Sequence, residues 1–250
     1  MNSKEQIKLD YTEDFRIACR INNLKFEELL QYFIDHVSFY AFIGGRMEPV
    51  YLWATIVSIS CREAEGGEVE TVNDRNIQRI SMKYIKKLTA LLFEKGLSKK
   101  IETVRSIAIM EEWAAEMLPL TDYPDEIETE GGLSLKLRFD FNMLCRMNGL
   151  DVKQLLQYFI NTISLARERA INLLVEVRAD PGTSVLLFLV SSHEDVKNKI
   201  LPQQDIYKQY GLKLLRLDKK QKEEADLDTR IKNYRAFYLD WYNALGNREE

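Results

Sequence analysis

Residues 15–38, FRIACRINNLKFEELLQYFIDHVS, and residues 141–164, FNMLCRMNGLDVKQLLQYFINTIS, are two versions of one segment set 126 residues apart. Of the 24 positions, 12 are identical, and several others exchange one apolar side chain for another, as at Ile17/Met143, Ile21/Met147 and Val37/Ile163. A match of this density at one fixed offset marks an internal duplication, and a duplication decides the fold before any single element does.

The likeness continues outward more faintly. PVYLWATIVSIS (49–60) aligns with PGTSVLLFLVSS (181–192) after a six-residue insertion, and IETVRSIAIMEEWAAEML (101–118) aligns with TRIKNYRAFYLDWYNALG (229–246), Trp113 on Trp241. A whole unit has been copied. The division that follows is a first repeat over 1–120, an acidic linker over 121–132 and a second repeat over 133–250. The joining stretch PLTDYPDEIETEGG (119–132) carries two prolines, five carboxylates and a terminal Gly-Gly, the composition of a solvated linker.

Each repeat opens with a period of two. Leu133, Leu135, Leu137 and Phe139 interleave with Ser134, Lys136 and Arg138, and Ile7, Leu9 and Tyr11 interleave with Lys8, Asp10 and Thr12. Alternation of this kind is the mark of a half-buried strand. A short helix follows, with Glu13 or Asp14 as cap in the first copy and Asp140 in the second. Asn22-Asn23 and Asn148-Gly149 then supply residues that tolerate a left-handed backbone.

The next helix has the strongest pattern. Phe26, Leu29, Leu30, Phe33, Ile34, Val37 and Ala41 fall at helical spacing, as do Val152, Leu155, Leu156, Phe159, Ile160 and Ile163. Gly44-Gly45 ends it in the first copy. Further helices are expected at 48–62, 76–96 and 100–118, and at 182–198, 203–216 and 226–245, with an acidic loop over 63–74. Sparse glycine and proline, 11 and 5 in 250 residues, agree with long helices and few turns.

A strand, a short helix, an Asn-Gly-type turn and a longer amphipathic helix, in that order, resemble the ribbon–helix–helix family, which includes the Arc and MetJ repressors. The resemblance covers residues 7–38 and 133–164, and NGLDVKQLLQYFI (148–160) carries it best. It implies a mostly α-helical protein in which tandem strand–helix–helix units supply one strand each to an intramolecular two-stranded antiparallel ribbon, a pseudo-dimer with additional helices in each half. In that family the ribbon enters the major groove and its outer side chains read base edges. The start of the second helix holds a phosphate.

Carried onto this chain, the base-contact candidates are Lys8, Asp10 and Thr12 in one strand and Ser134, Lys136 and Arg138 in the other. The phosphate-contact candidates are Lys25 and Lys153. Where the family often has a small hydroxyl residue at the start of the second helix, this chain has Lys25 in one copy and Asp151 in the other, and Asp151 repels phosphate. The resemblance thus implies a DNA-binding regulatory protein with double-stranded DNA as partner, touched asymmetrically. The alternative is a non-catalytic protein-interaction or scaffold module that keeps the fold without DNA binding, with a protein partner or self-association of pseudo-dimers.

Charge and composition bound these readings. The net charge is −4, so no overall basic field draws in nucleic acid or anionic membrane. Three cysteines make no disulfide framework, which fits a reducing cytoplasm. The N-terminal MNSKEQIKLD lacks the apolar run of a signal peptide, and no stretch approaches a membrane span.

The remaining features have structural readings. The shared LLQYFI segments are core, Gln31 and Gln157 are interface-edge residues, and Cys19 and Cys145 are small buried hydrophobes. The aromatic run Tyr234, Phe237, Tyr238, Trp241 and Tyr242 has the spacing of a packed helix face. Lysine clusters recur in both copies: Lys83, Lys86, Lys87, Lys95, Lys99 and Lys100, then Lys213, Arg216, Lys219, Lys220 and Lys222, either solvated faces or a partner-binding surface. His36 and His193 occupy no metal spacing. No glycine-rich phosphate loop, nucleophile elbow or HExxH motif occurs, so neither an enzyme nor a cofactor is expected.

Overall fold

The computed structural model describes residues 6–66, 74–122, 124–172, 180–192 and 203–246. It is mostly helical. The elements are β1 (Gln6–Ile7), α1 (Glu13–Ile21), α2 (Phe26–His36), α3 (Phe39–Phe42), α4 (Pro49–Glu65), α5 (Arg75–Phe93), α6 (Lys99–Met117), β2 (Glu126–Thr129), β3 (Ser134–Lys136), α7 (Phe139–Met147), α8 (Val152–Thr162), α9 (Leu165–Ile171), α10 (Pro181–Ser192), α11 (Gln204–Gln221) and α12 (Leu227–Ala244). The acidic loop of the first half lies partly outside the described residues, as do 193–198 of the helix expected at 182–198.

Element bounds recur between the halves. The pairs α1/α7 and α2/α8 have nine and eleven residues in both copies, and each pair starts 126 residues apart. The turn between them uses Asn23 at φ 51° and Gly149 at φ 62°, equivalent positions in the left-handed region.

Smaller details recur as well. The Ser38 N–H donates to Thr55 Oγ1 (3.2 Å), while the Ser38 hydroxyl accepts from the Ala41 N–H (3.4 Å) and caps α3. The Ser164 N–H likewise donates to Thr183 Oγ1 (2.9 Å), and its hydroxyl accepts from the Arg167 N–H (3.1 Å) to cap α9. Thr55 therefore corresponds to Thr183, and the two repeats differ here by an insertion of two residues rather than six. In that register buried Ala54, Val57 and Cys61 fall on buried Gly182, Val185 and Leu189.

Capping corrects the expected starts and stops. Thr12, not Glu13 or Asp14, caps α1, its Oγ1 accepting from the Phe15 N–H at 3.2 Å. Arg138 occupies the cap of α7 with no side-chain bond, and Asp140 is inside the helix. The α2 helix stops at His36 because Ser38 begins a new one, so Gly44-Gly45 ends α3 instead. Gly45 lies under the Tyr40 ring, where an added Cβ would come 2.4 Å from a ring carbon.

The ribbon differs from expectation in a way that matters for function. The sheet has three strands in the order β1-β2-β3, so the two strands expected to pair with each other are separated. β2 pairs parallel with β1 and antiparallel with β3. It comes from the stretch assigned to the linker. Ile127 and Thr129 alternate inward there, 2% exposed each, which is enough to form a half-buried strand among glutamates.

The chain divides into two compact units that are not its sequence halves. Unit 1 comprises Met1–Leu9 and Leu30–Tyr158; unit 2 comprises Asp10–Leu29 and Phe159–Glu250. In unit 1, α7 of the second repeat packs on α3 and α6 of the first. The core there centres on fully buried Trp113, stacked on Tyr84 (5.9 Å) and met edge-on by Phe39 and Phe139.

In unit 2, α1 of the first repeat packs on α9 and α12 of the second. Its core holds Ile17, Ile21, Ala166, Ala170, Tyr210, Tyr234, Tyr238, Trp241 and Leu245. The aromatic run of α12 is therefore a packed face, as its spacing predicts. Tyr210 stacks on Trp241 at 5.5 Å, matching Tyr84 on Trp113. Each unit takes its first helix from the other repeat.

Candidate functional site

Of the six expected base-reading residues, Lys8, Ser134, Lys136 and Arg138 lie on or beside the outer face of the sheet in unit 1. Alternation sends Ile7, Ile127, Leu135 and Leu137 into the core and leaves Lys8, Lys136 and Arg138 exposed on the opposite side. Three cations thus point outward. The central strand changes their setting.

β2 has the sequence EIET, so Glu126 and Glu128 share the outer face with them. The register sets Glu126 opposite Lys136 and Glu128 opposite Ser134. Neighbouring strands lie about 5 Å apart, so each carboxylate is a nearest neighbour of a cation or hydroxyl on the next strand. Individual contacts follow. Lys8 Nζ lies 3.9 Å from Glu130 Oε2, the Ser134 hydroxyl donates to Glu126, and Arg138 Nε lies 2.8 Å from Asp35 Oδ1.

Gln31 from α2 closes the free edge of β3. Its Oε1 accepts from the Lys136 N–H at 2.9 Å and its Nε2 donates to the Lys136 carbonyl at 3.0 Å. One side-chain amide thereby imitates a neighbouring strand, and the interface-edge reading of Gln31 acquires a mechanism.

The other candidates are dispersed. Asp10 is exposed and belongs to unit 2, beyond the end of β1. Thr12 is engaged as the α1 cap, which removes it as a base reader. Lys25 is exposed before α2, where its backbone N–H donates to Glu28 Oε2 at 2.9 Å. Lys153 is exposed in the first turn of α8, next to Asp151, whose Oδ1 accepts from the Gln154 N–H.

Three residues of the lysine clusters, Lys83, Lys87 and Lys213, are tied down within their units. Lys83 and Lys87 approach the Tyr84 ring within 4.8 Å and bind Glu116 and Glu112 at 2.5 Å each. Lys213 sits 4.1 Å over the Tyr210 ring and 3.6 Å from Asp240. The same clamp of lysine, tyrosine, tryptophan and carboxylate appears in both halves, and the sequence showed only its lysines and its aligned tryptophans.

Titratable groups elsewhere are perturbed by burial. Desolvation pushes the Cys145 thiol far above its ordinary value, and Cys19, Cys61 and Cys145 are all buried free thiols. Burial lowers His36, whose ring packs on Tyr32 and Tyr51. His193 lies outside the described residues. Burial also raises the Asp140 carboxyl to about 7, although it accepts from the Phe39 N–H at 2.5 Å.

A cavity of about 410 Å³ opens among Arg46, Leu92, Lys95, Gly96, Leu97 and Glu102, and its walls carry no serine, cysteine or histidine. Among the described residues no group of three histidine, cysteine or acidic side chains is placed to hold a metal ion. No described helix is long and apolar enough to cross a membrane. Comparisons of the chain with protein-family models, with curated proteins and with solved structures find no match.

Proposed function

We propose that this chain is a non-catalytic protein-interaction module, built from a duplicated ribbon–helix–helix-like unit whose ribbon has been altered. The observation that carries this reading is the position of β2. It inserts Glu126 and Glu128 between the strands whose outer residues would read DNA, and Glu130 follows directly. Binding to duplex draws most of its free energy from neutralising phosphates. A face that interleaves three glutamates with three cations has little charge left for that purpose.

DNA binding is the second reading, and one observation favours it. Lys8, Lys136 and Arg138 remain exposed on one face rather than covered by the additional helices.

Titration of the intact chain with genomic duplex fragments at low salt separates the two. The interaction reading expects no binding that falls steeply with salt. Tight, salt-sensitive binding that Lys136→Ala with Arg138→Ala abolishes would return the chain to the DNA-binding class.

A further inference from the structure

The α6 helix carries two apolar seams, and among the described residues only one of them is covered. Thr103, Ser106, Met110, Trp113 and Met117 are buried in unit 1. On another side, positions 101, 104, 108, 111, 115 and 118 follow heptad spacing and hold Ile101, Val104, Ala108, Glu111, Ala115 and, at the C-cap, Leu118. Ile101, Val104 and Leu118 are 48%, 60% and 71% exposed, and neighbouring Ile107 is 37% exposed. A helix apolar on more than one side is normally covered on each, and a heptad seam is the pattern that covers itself with another helix.

The second repeat shows that the fold does not require this. At the equivalent places α12 carries Thr229, Lys232, Arg235, Ala236, Leu239, Asn243 and Gly246, and it folds with a polar outer side. The apolar seam is thus a property of one copy only.

We propose that a second copy of this chain covers the α6 seam, the two α6 helices packing antiparallel about a two-fold axis near Ala108. This rests on the interaction-module reading and names its partner. Charge selects the occupant. The N-terminal part of α6 carries Lys99, Lys100 and Arg105 and the C-terminal part carries Glu111 and Glu112. Antiparallel crossing at Ala108 sets Arg105, which in its own chain meets Glu94 at 2.7 Å, opposite Glu111 of the other copy, so the face is complementary to itself. It also brings Leu118 and Leu120 of one copy to the end of the other where Phe93 is 75% exposed. The paired length of 19 residues is about 28 Å.

Sedimentation equilibrium of the full chain tests this. A species of twice the 29.3 kDa chain mass is expected. Ile101→Thr with Val104→Lys, the residues α12 carries, should weaken that dimer at least about tenfold and leave the circular dichroism spectrum unchanged. Arg105→Glu and Glu111→Arg should each weaken it, and the two together in one chain should restore it.

A monomer at every concentration up to about 100 μM, some hundredfold above an ordinary micromolar interface, overturns the proposal. So does a dimer indifferent to Val104, or a charge reversal that the second reversal does not rescue. These outcomes are separate from duplex binding: a monomer that ignores DNA sinks the dimer alone, and salt-sensitive duplex binding sinks the interaction reading whatever the mass.

Discussion

α6 and α12 align with each other between the two halves of the sequence and have opposite outer sides. Both bury a tryptophan, Trp113 in one and Trp241 in the other, and both place a tyrosine flat against it. Away from the core they diverge. Ile101, Val104 and Ile107 on α6 face Thr229, Lys232 and Arg235 at the same places on α12. Even inside, Glu102 at 5% exposure corresponds to Arg230 at 4%. The inner stripe is constrained because packing punishes any change of volume. The outer stripe is free to record what each copy contacts.

The largest expected effect probes the shared part. Trp113 is fully enclosed and Trp241 is 9% exposed. Trp113→Ala should cost about 3–5 kcal/mol in urea unfolding, and Trp241→Ala should cost less. Equal losses would mean that the residual exposure of Trp241 has no energetic weight and that the two cores are equally tight.

Asp14 and Asp140, also equivalent, sharpen the comparison next. Asp14 holds Arg235 through two bonds of 3.0 and 2.9 Å, so its charge has a partner. Asp140 accepts the Phe39 N–H instead, and burial raises its carboxyl to about 7. A group whose folded value lies above its unfolded value contributes stability that is fully present below the unfolded value. That stability is lost as pH rises through the folded one. The window therefore runs from about pH 4 to about pH 7, with a bound of about 4 kcal/mol at 1.4 kcal/mol per unit. Asp140→Asn keeps an acceptor for Phe39 and should flatten this part of the pH–stability curve. An unchanged slope in Asp140→Asn would show that the carboxyl titrates alike in folded and unfolded chains.

These contrasts also explain what could be read from sequence. The amphipathic helices were legible to within a few residues, since Leu29, Leu30, Phe33 and Ile34 and their partners in α8 repeat a burial pattern that has no other use. The tyrosine–tryptophan stacks were visible only as spacing. β2 was not legible: its two inward residues, Ile127 and Thr129, sit among carboxylates and prolines, and only pairing with β1 and β3 makes them a strand. Local composition pointed to a linker, and tertiary contact overrode it.

The candidate site suffered from the same strand. Lys8, Lys136 and Arg138 are exposed, but Glu126, Glu128 and Glu130 beside them come from the stretch expected as a linker, and Asp35, which meets Arg138, comes from α2. The α6 seam was present in the sequence as a heptad. It became informative only once the structure showed that a different stripe of α6 faces the core.

The smallest effect concerns the polar side of α12. Arg235 reaches Asp14 across unit 2 with side chains 49% and 16% exposed. Paired charges so open to water contribute little, about 0.2–1 kcal/mol, because solvent screens the attraction and two long side chains must be held still. Arg235→Ala should therefore lower unfolding free energy by no more than about 1 kcal/mol, and salt should erase most of the difference. It should leave the sedimentation mass of the chain unchanged, whereas substitution of Val104 on α6 shifts it. If Arg235→Ala altered self-association as strongly as Val104→Lys, the outer sides of the two helices would be functionally alike after all. The asymmetry between the copies would then lie in the sheet, where Glu126 and Glu128 stand on the strand between β1 and β3.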